Sequence, residues 1–181
     1  MVIISVILIL MERSMPLKLD ARNWDKAYQI EKDNLSYYLR DFKVSINHYG
    51  ATSILNGRSN RNVDILLCAF SLVDLSSVKV RLESKGYKLV QYEENPDYYV
   101  LVAPKKANGY GVSIRLMLYA SQTYLRYNAF YLLLKENPEL VIRYNNFREE
   151  ITLKCGKNWR MYWKLKNNYI NQVIDENFKF E

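Results

Sequence analysis

The sequence predicts an α+β fold, on three observations. Five strand-like runs crowd residues 44–119, one helical pattern precedes them and another interrupts them, and from Thr123 onward the apolar period is helical to the end. Runs of strands followed by runs of helices place helices on a mixed or antiparallel sheet, here with a C-terminal helical bundle.

Each element has its own reason. Over 23–40, Trp24, Ala27, Tyr28, Leu35, Tyr38 and Leu39 recur at helical spacing with Glu31, Lys32 and Asp33 outside, and Asp20 or Asn23 is placed to cap the start. Val44-Ser45-Ile46 reads as a short strand running into a turn at His48–Gly50. Val63 to Cys68, VDILLC, is an apolar strand broken only by Asp64. Asp74 to Lys85 is amphipathic, with Leu75, Val78 and Leu82 on one face and Gly86 positioned to stop it. Lys88–Tyr92, Tyr98–Ala103 and Val112–Tyr119 follow as strands, joined by Glu93–Asp97 and Lys105–Gly109, both rich in turn chemistry. Pro138 and Gly156 divide the remainder into helices over 123–136, 138–154 and 158–178.

At 181 residues, 49% apolar and 25% charged, the chain has an ordinary globular composition, which excludes a disordered or collagenous protein. Two cysteines, Cys68 and Cys155, and one histidine exclude a disulfide framework and a structural zinc site. The expectation is a reduced, cytoplasmic protein with one domain over 16–181. The apolar run MVIISVILIL at residues 1–10 is half of the roughly 20 residues that a membrane-spanning helix needs, and it lacks the basic start and cleavage site of a signal peptide. Residues 1–15 are read as an over-extended start, with Met11 or Met15 as the true first residue. A packed or partner-binding strand and a membrane-associated segment are the alternatives.

The net charge of +7 is uneven: residues 1–104 hold 13 basic and 12 acidic residues, residues 105–181 hold 13 and 7. A basic face concentrates anions such as nucleotides or nucleic acid, but a solvated helix surface has the same signature. The 16 tyrosines accompany many Asn, Lys and Ile residues, a coding bias, and carry no functional weight by number.

Asp64 is the most informative residue. Charges are seldom buried without a partner or a metal, and alternation puts Asn62, Asp64 and Leu66 on one strand face with Val63, Ile65 and Leu67 on the other. Cys68, on the face of Asp64, reads as a small core residue. Upstream lie His48-Tyr49-Gly50-Ala51-Thr52 and the turn-rich, basic Asn56–Arg61. Backbone N–H groups of a small-residue turn can meet a phosphate, Arg58 or Arg61 can neutralise it, and a strand carboxylate can hold Mg²⁺ to its oxygens.

The stretch HYGATSILNGRSNRNVDI, His48 to Ile65, resembles the H-I-G-S-T-A-V-P-G-L-A-A-K-P-I-I-D-I signature of the GrpB family (UPF0157), assigned to the nucleotidyltransferase superfamily. His48, Gly50, Thr52, Asp64 and Ile65 fall on it without a gap. Trp24 and the helix behind it resemble the family's opening segment, FYLLLKENP at 130–138 its F-R-D-Y-L-R-x-H-P, and Tyr144–Arg148 and Tyr162–Lys166 its two later Tyr-x-x-x-Lys-like spacings. The resemblance covers about residues 19–178. It implies a nucleotidyltransferase-like fold, a Gly-Ser turn that cradles nucleotide phosphates and a metal-binding carboxylate on the next strand. Family members also occur fused to dephospho-coenzyme A kinase, linked there to folding of the partner.

Several positions depart from the pattern. The Gly-Ser pair is Gly50-Ala51, the signature Lys is Asn60 with Arg61 or Arg58 nearby to replace its charge, the Arg-Asp of F-R-D-Y-L is Tyr131-Leu132, the following His is Asn137, and the H-x-H strand is Ser113 and Arg115. Two-metal nucleotidyl transfer uses two or three carboxylates, and no acid after Asp64 is well placed. The frame is kept while catalysis is weakened or lost. The resulting expectation is a GrpB-like protein that binds a nucleotide or phosphorylated small molecule with Mg²⁺. Gly50, Ala51, Thr52, Arg58, Arg61, Arg148 and Lys166 would contact the phosphates, Asp64 would hold the metal, and Asp64 and His48 are the catalytic candidates, although a lone His is more often structural. The alternatives are a non-catalytic interaction or folding module with a protein partner and, behind it, an RNA-binding accessory domain using the basic tail.

Overall fold

The computed structural model describes residues 24–59, 62–90, 97–103 and 110–178. The N-terminal run, Asp20 and Asn23 as caps, Asn60, Arg61, Glu93–Pro96 and Lys105–Gly109 lie outside them. In chain order the elements are α1 (Trp24–Tyr38), β1 (Val44–His48), a 3-10 turn (Gly50–Ser53), β2 (Asn62–Ala69), α2 (Leu72–Ser84), β3 (Lys88–Leu89), β4 (Tyr98–Ala103), β5 (Gly111–Leu118), α3 (Gln122–Glu136), α4 (Pro138–Cys155) and α5 (Trp159–Asn177). The fold is α+β, as predicted.

Capping chemistry accounts for the helix ends. Ser71, Ser121, Asn137 and Asn158 each accept the N–H three residues on, and so satisfy one orphan donor of α2, α3, α4 and α5 respectively. Pro138 sits in the first turn of α4, where its missing N–H costs nothing.

The sheet is five-stranded, in the order β1-β2-β5-β4-β3. Its central pair, β2 and β5, is parallel, with Asp64 opposite Ser113 and Leu66 opposite Arg115; β1, β4 and β3 join antiparallel. The strand predicted over Lys88–Tyr92 is confined to Lys88–Leu89 among the described residues, although the Val90 N–H still donates to the Val100 carbonyl at 2.9 Å.

Alternation divides the side chains between two cores. One face presents Val63, Ile65, Leu67, Val112, Ile114 and Leu116 to α1 and α2, which contribute Leu35, Leu75, Val78 and Leu82, with Leu39 just past the end of α1. Each such side chain, fully buried, stabilises the fold by roughly 1.5–3 kcal/mol. Glu31 of α1, expected on the outer face, is instead fully buried, where it accepts a hydrogen bond from the Tyr87 hydroxyl at 3.2 Å. The opposite face carries Leu66, Cys68, Val100 and Met117 beneath Tyr124, Tyr127 and Tyr131 of α3 and Trp163 of α5. A third cluster, including Phe130, Leu134, Val141, Ile170 and Ile174, joins α3, α4 and α5 into the C-terminal bundle. Among the described residues no helix is long and apolar enough to cross a membrane.

Candidate functional site

Strand β1 ends at His48, and the 3-10 turn that follows folds Gly50–Ser53 against Asp64 of β2. Gly50 has φ +67, a left-handed conformation that costs glycine nothing. A Cβ at this position would stand 2.9 Å from Asp64 Oδ2, so the closeness of the carboxylate also demands glycine. Gly57 is required by space alone, since its Cβ would lie 2.1 Å from the Ala51 carbonyl oxygen.

Thr52 is buried and joins the two strands chemically. Its Oγ1 accepts the Asp64 N–H at 3.0 Å and lies 3.1 Å from His48 Nε2. The other ring nitrogen, Nδ1, lies 3.2 Å from Asp25 Oδ1, and the imidazole stacks on Tyr28 with centroids 4.7 Å apart. One proton arrangement satisfies all three contacts: Nδ1–H donates to Asp25, and the threonine hydroxyl donates to Nε2. Burial lowers the His48 pKa, against the opposing pull of Asp25 and Asp64. His48 is thus a neutral link from Asp25 to Thr52, with both nitrogens engaged, and it acts on Asp64 through Thr52.

Around the Asp64 carboxylate stand cations from three elements. Arg115 of β5 brings a guanidinium nitrogen to 3.9 Å from Oδ1, with the two side chains only 13% and 17% exposed. The Arg115 guanidinium carbon lies 5.8 Å from the Tyr127 ring centroid and 5.9 Å from that of Trp163, and its Nε is buried without a hydrogen-bond partner. Arg148 of α4 and Lys166 of α5 also act on the carboxylate. Lys166 is buried with its Nζ 3.6 Å from the Trp163 ring centroid. Burial drives its pKa well below the ordinary lysine value; Arg115 and Arg148 add to the shift and Asp64 opposes it. Burial also raises the Asp64 pKa, with Arg115, Arg148, Lys166 and His48 pulling it back.

These magnitudes bear on purpose. At an effective dielectric of about 20, unit charges about 4 Å apart attract by roughly 4 kcal/mol, while removing each ion from water costs several kcal/mol. Three largely buried cations that repel one another around one carboxylate therefore do not repay the desolvation of the whole cluster as a stability device.

The loop before β2 is held by α4. Asn145 accepts the Arg58 N–H at 3.2 Å and donates to the Asn56 carbonyl at 3.0 Å, while Arg148 donates to the Arg58 carbonyl at 2.8 Å. The Arg58 guanidinium pairs with Glu149. Of the residues expected at the site, the structure brings His48, Gly50, Ala51, Thr52, Asp64, Arg148 and Lys166 together, whereas the charge of Arg58 is directed to Glu149 and Arg61 lies outside the described residues. Arg115 was not among those expected. Its signal was present: an arginine inside the apolar run GVSIRLML is as anomalous as an aspartate inside VDILLC.

The donors do not fit a divalent cation. Among the described residues no group of three or more His, Cys, Asp or Glu side chains is arranged to hold a metal ion. The charged group that faces Asp64 from the adjacent strand is a guanidinium, where Mg²⁺ sites offer hard oxygen ligands.

The sequence profile of the GrpB protein family matches residues 17–176. The chain belongs to the GrpB family. No curated protein matches its sequence. Among solved structures it is similar to GrpB from Enterococcus faecalis, with a TM-score of 0.68 and 19% identity over 84% of this chain and 91% of that one. It is also similar to the Cid1 poly(U) polymerase in its MgGTP-bound form, with a TM-score of 0.50 and 12% identity over 82% of this chain and 47% of that one. At these identities the likeness establishes the fold, which is nucleotidyltransferase-like, and the GrpB-family signature residues His48, Gly50, Thr52 and Asp64 form its β1–turn–β2 corner.

Proposed function

We propose that this GrpB-family protein binds a nucleotide or a phosphorylated small molecule, with the phosphoryl group held by Arg115, Arg148 and Lys166 beside Asp64. The observation that carries the reading is the charge imbalance of the cluster: three cations, largely withdrawn from water, share one carboxylate, and Arg115 Nε has no acceptor. Buried cations call for counter-charge, and guanidinium groups match phosphoryl oxygens in geometry as well as sign. The nucleotidyltransferase-like fold supports a nucleotide among the phosphorylated ligands, as Cid1 was captured with MgGTP. Transfer through two metals requires carboxylates that this cluster does not supply, so binding is the activity read from it and catalysis is weakened or lost.

Thermal unfolding with a panel of nucleotides and phosphorylated sugars tests the reading. A ligand at about 100 times its Kd stabilises the native state by about 2.7 kcal/mol, or roughly 5–11 °C for a chain of this size. That shift should disappear in Arg148→Met. An unchanged Tm across the whole panel, or a shift that Arg148→Met leaves intact, would refute the site.

A further inference from the structure

We infer that the site takes its phosphoryl ligand free of metal, as the uncomplexed anion, and that divalent cations oppose binding by competing for the ligand. The inference rests on the proposed phosphoryl site and specifies the form of its ligand.

The argument turns on what occupies the place beside Asp64. Strands β2 and β5 run parallel in register, with Asp64 opposite Ser113 and Leu66 opposite Arg115. In-register residues of adjacent strands share a face, so Asp64, Ser113 and Arg115 project from the same side of the sheet. A second carboxylate on this stretch of β5 would make an acidic pair with Asp64. The chain has a hydroxyl and a guanidinium there instead, and the guanidinium is 3.9 Å from the Asp64 carboxylate.

Three properties follow from this arrangement. Arg115 and Arg148 supply fixed positive charge, one more than the single carboxylate, and protonation of Lys166 beside a bound anion brings the excess to two, the value of a phosphomonoester dianion. The same cations repel a bound Mg²⁺. Finally, Arg115 packs against the rings of both Tyr127 and Trp163, which restricts its planar donors and lowers the entropy lost on binding phosphoryl oxygens. A metal-complexed phosphate would bring its own positive charge into a site that already has an excess.

Titration calorimetry on the full chain separates the outcomes, using inorganic phosphate, adenosine monophosphate and adenosine triphosphate, each in EDTA and in excess Mg²⁺. Binding should persist in EDTA, and excess Mg²⁺ should weaken the triphosphate about tenfold, or 1.4 kcal/mol. Arg115→Met should weaken every ligand about thirtyfold or more, and Arg115→Lys should recover part of that loss. Circular dichroism melts of both variants establish that they fold, and the Mg²⁺ comparison on the unaltered chain stands independently of them. Binding that requires Mg²⁺ would overturn the inference and leave the phosphoryl site standing. Silence from all three ligands, with and without metal, would remove the phosphoryl site and the inference with it.

Discussion

The two faces of the sheet are built on opposite terms. Toward α1 and α2, β2 and β5 present only apolar side chains, among them the unexposed Val63, Ile65, Leu67, Val112, Ile114 and Leu116, and the buried acid on that side, Glu31, comes from α1 and is hydrogen-bonded by Tyr87. Toward α3, α4 and α5 the same two strands present Asp64 and Arg115 beside Leu66, Cys68 and Met117. One backbone thus supports a face selected for packing and a face that holds buried charge at a cost. Stability and ligand recognition are separated by the two-residue period of a strand, and substitutions on one face should leave the other's property measurable.

The largest expected effect lies on the packed face. Leu67→Ala removes a fully buried side chain and should destabilise the fold by about 2–5 kcal/mol. In urea unfolding the midpoint should fall steeply while the phosphate affinity of the folded fraction stays unchanged; an equal loss of affinity would break the separation. Thr52→Val lies at the junction. It deprives the Asp64 N–H of its acceptor and His48 Nε2 of its hydrogen-bond partner, a loss of about 1–3 kcal/mol, and should weaken phosphate binding as Asp64 loosens. A variant as stable as the unaltered chain would show that the Asp25–His48–Thr52 chain does not hold the corner.

Lys166→Met should give the smallest change, and in the opposite direction. Replacing a buried cation that is repelled by Arg115 and Arg148 should raise stability near neutral pH by about 1 kcal/mol while lowering phosphate affinity. The sign with pH follows from the depressed pKa. Below the ordinary value of 10.5 the unfolded lysine binds a proton that the native one resists, so this group makes the native state gain stability as pH rises toward that value and lose it as pH falls through the depressed pKa. Urea unfolding at about pH 7 and about pH 9 should show a shallower rise in the variant than in the unaltered chain. An unchanged slope would mean that Lys166 is not desolvated.

Much of this was legible in the residues. Ser, Asn, Pro and Gly mark the ends of α2 to α5 because capping is local chemistry, and the alternation around Asp64 separates the two cores because pleating is local geometry. The order of the strands is not a local property. The parallel pairing of β2 with β5, some 50 positions apart, depends on which hydrophobic faces meet, and it alone brings Arg115 to Asp64. Arg58 illustrates the same limit: its charge is visible in the sequence, but Glu149, which occupies it, is 91 positions away. His48 was assigned by spacing to the corner where it stands, while its engagement by Asp25 and Thr52 could be seen only in three dimensions.

The bonds from Asn145, Arg148 and Glu149 to the loop at 56–58 have a consequence for motion. Since α4 belongs to the C-terminal bundle, these bonds tie the loop's motion to the bundle's own order. Arg148 takes part twice, on the Arg58 carbonyl and on the Asp64 cluster. An anion drawn to that cluster would therefore also steady Arg148 against the loop, slowing amide exchange in a loop and a helix that are remote in sequence.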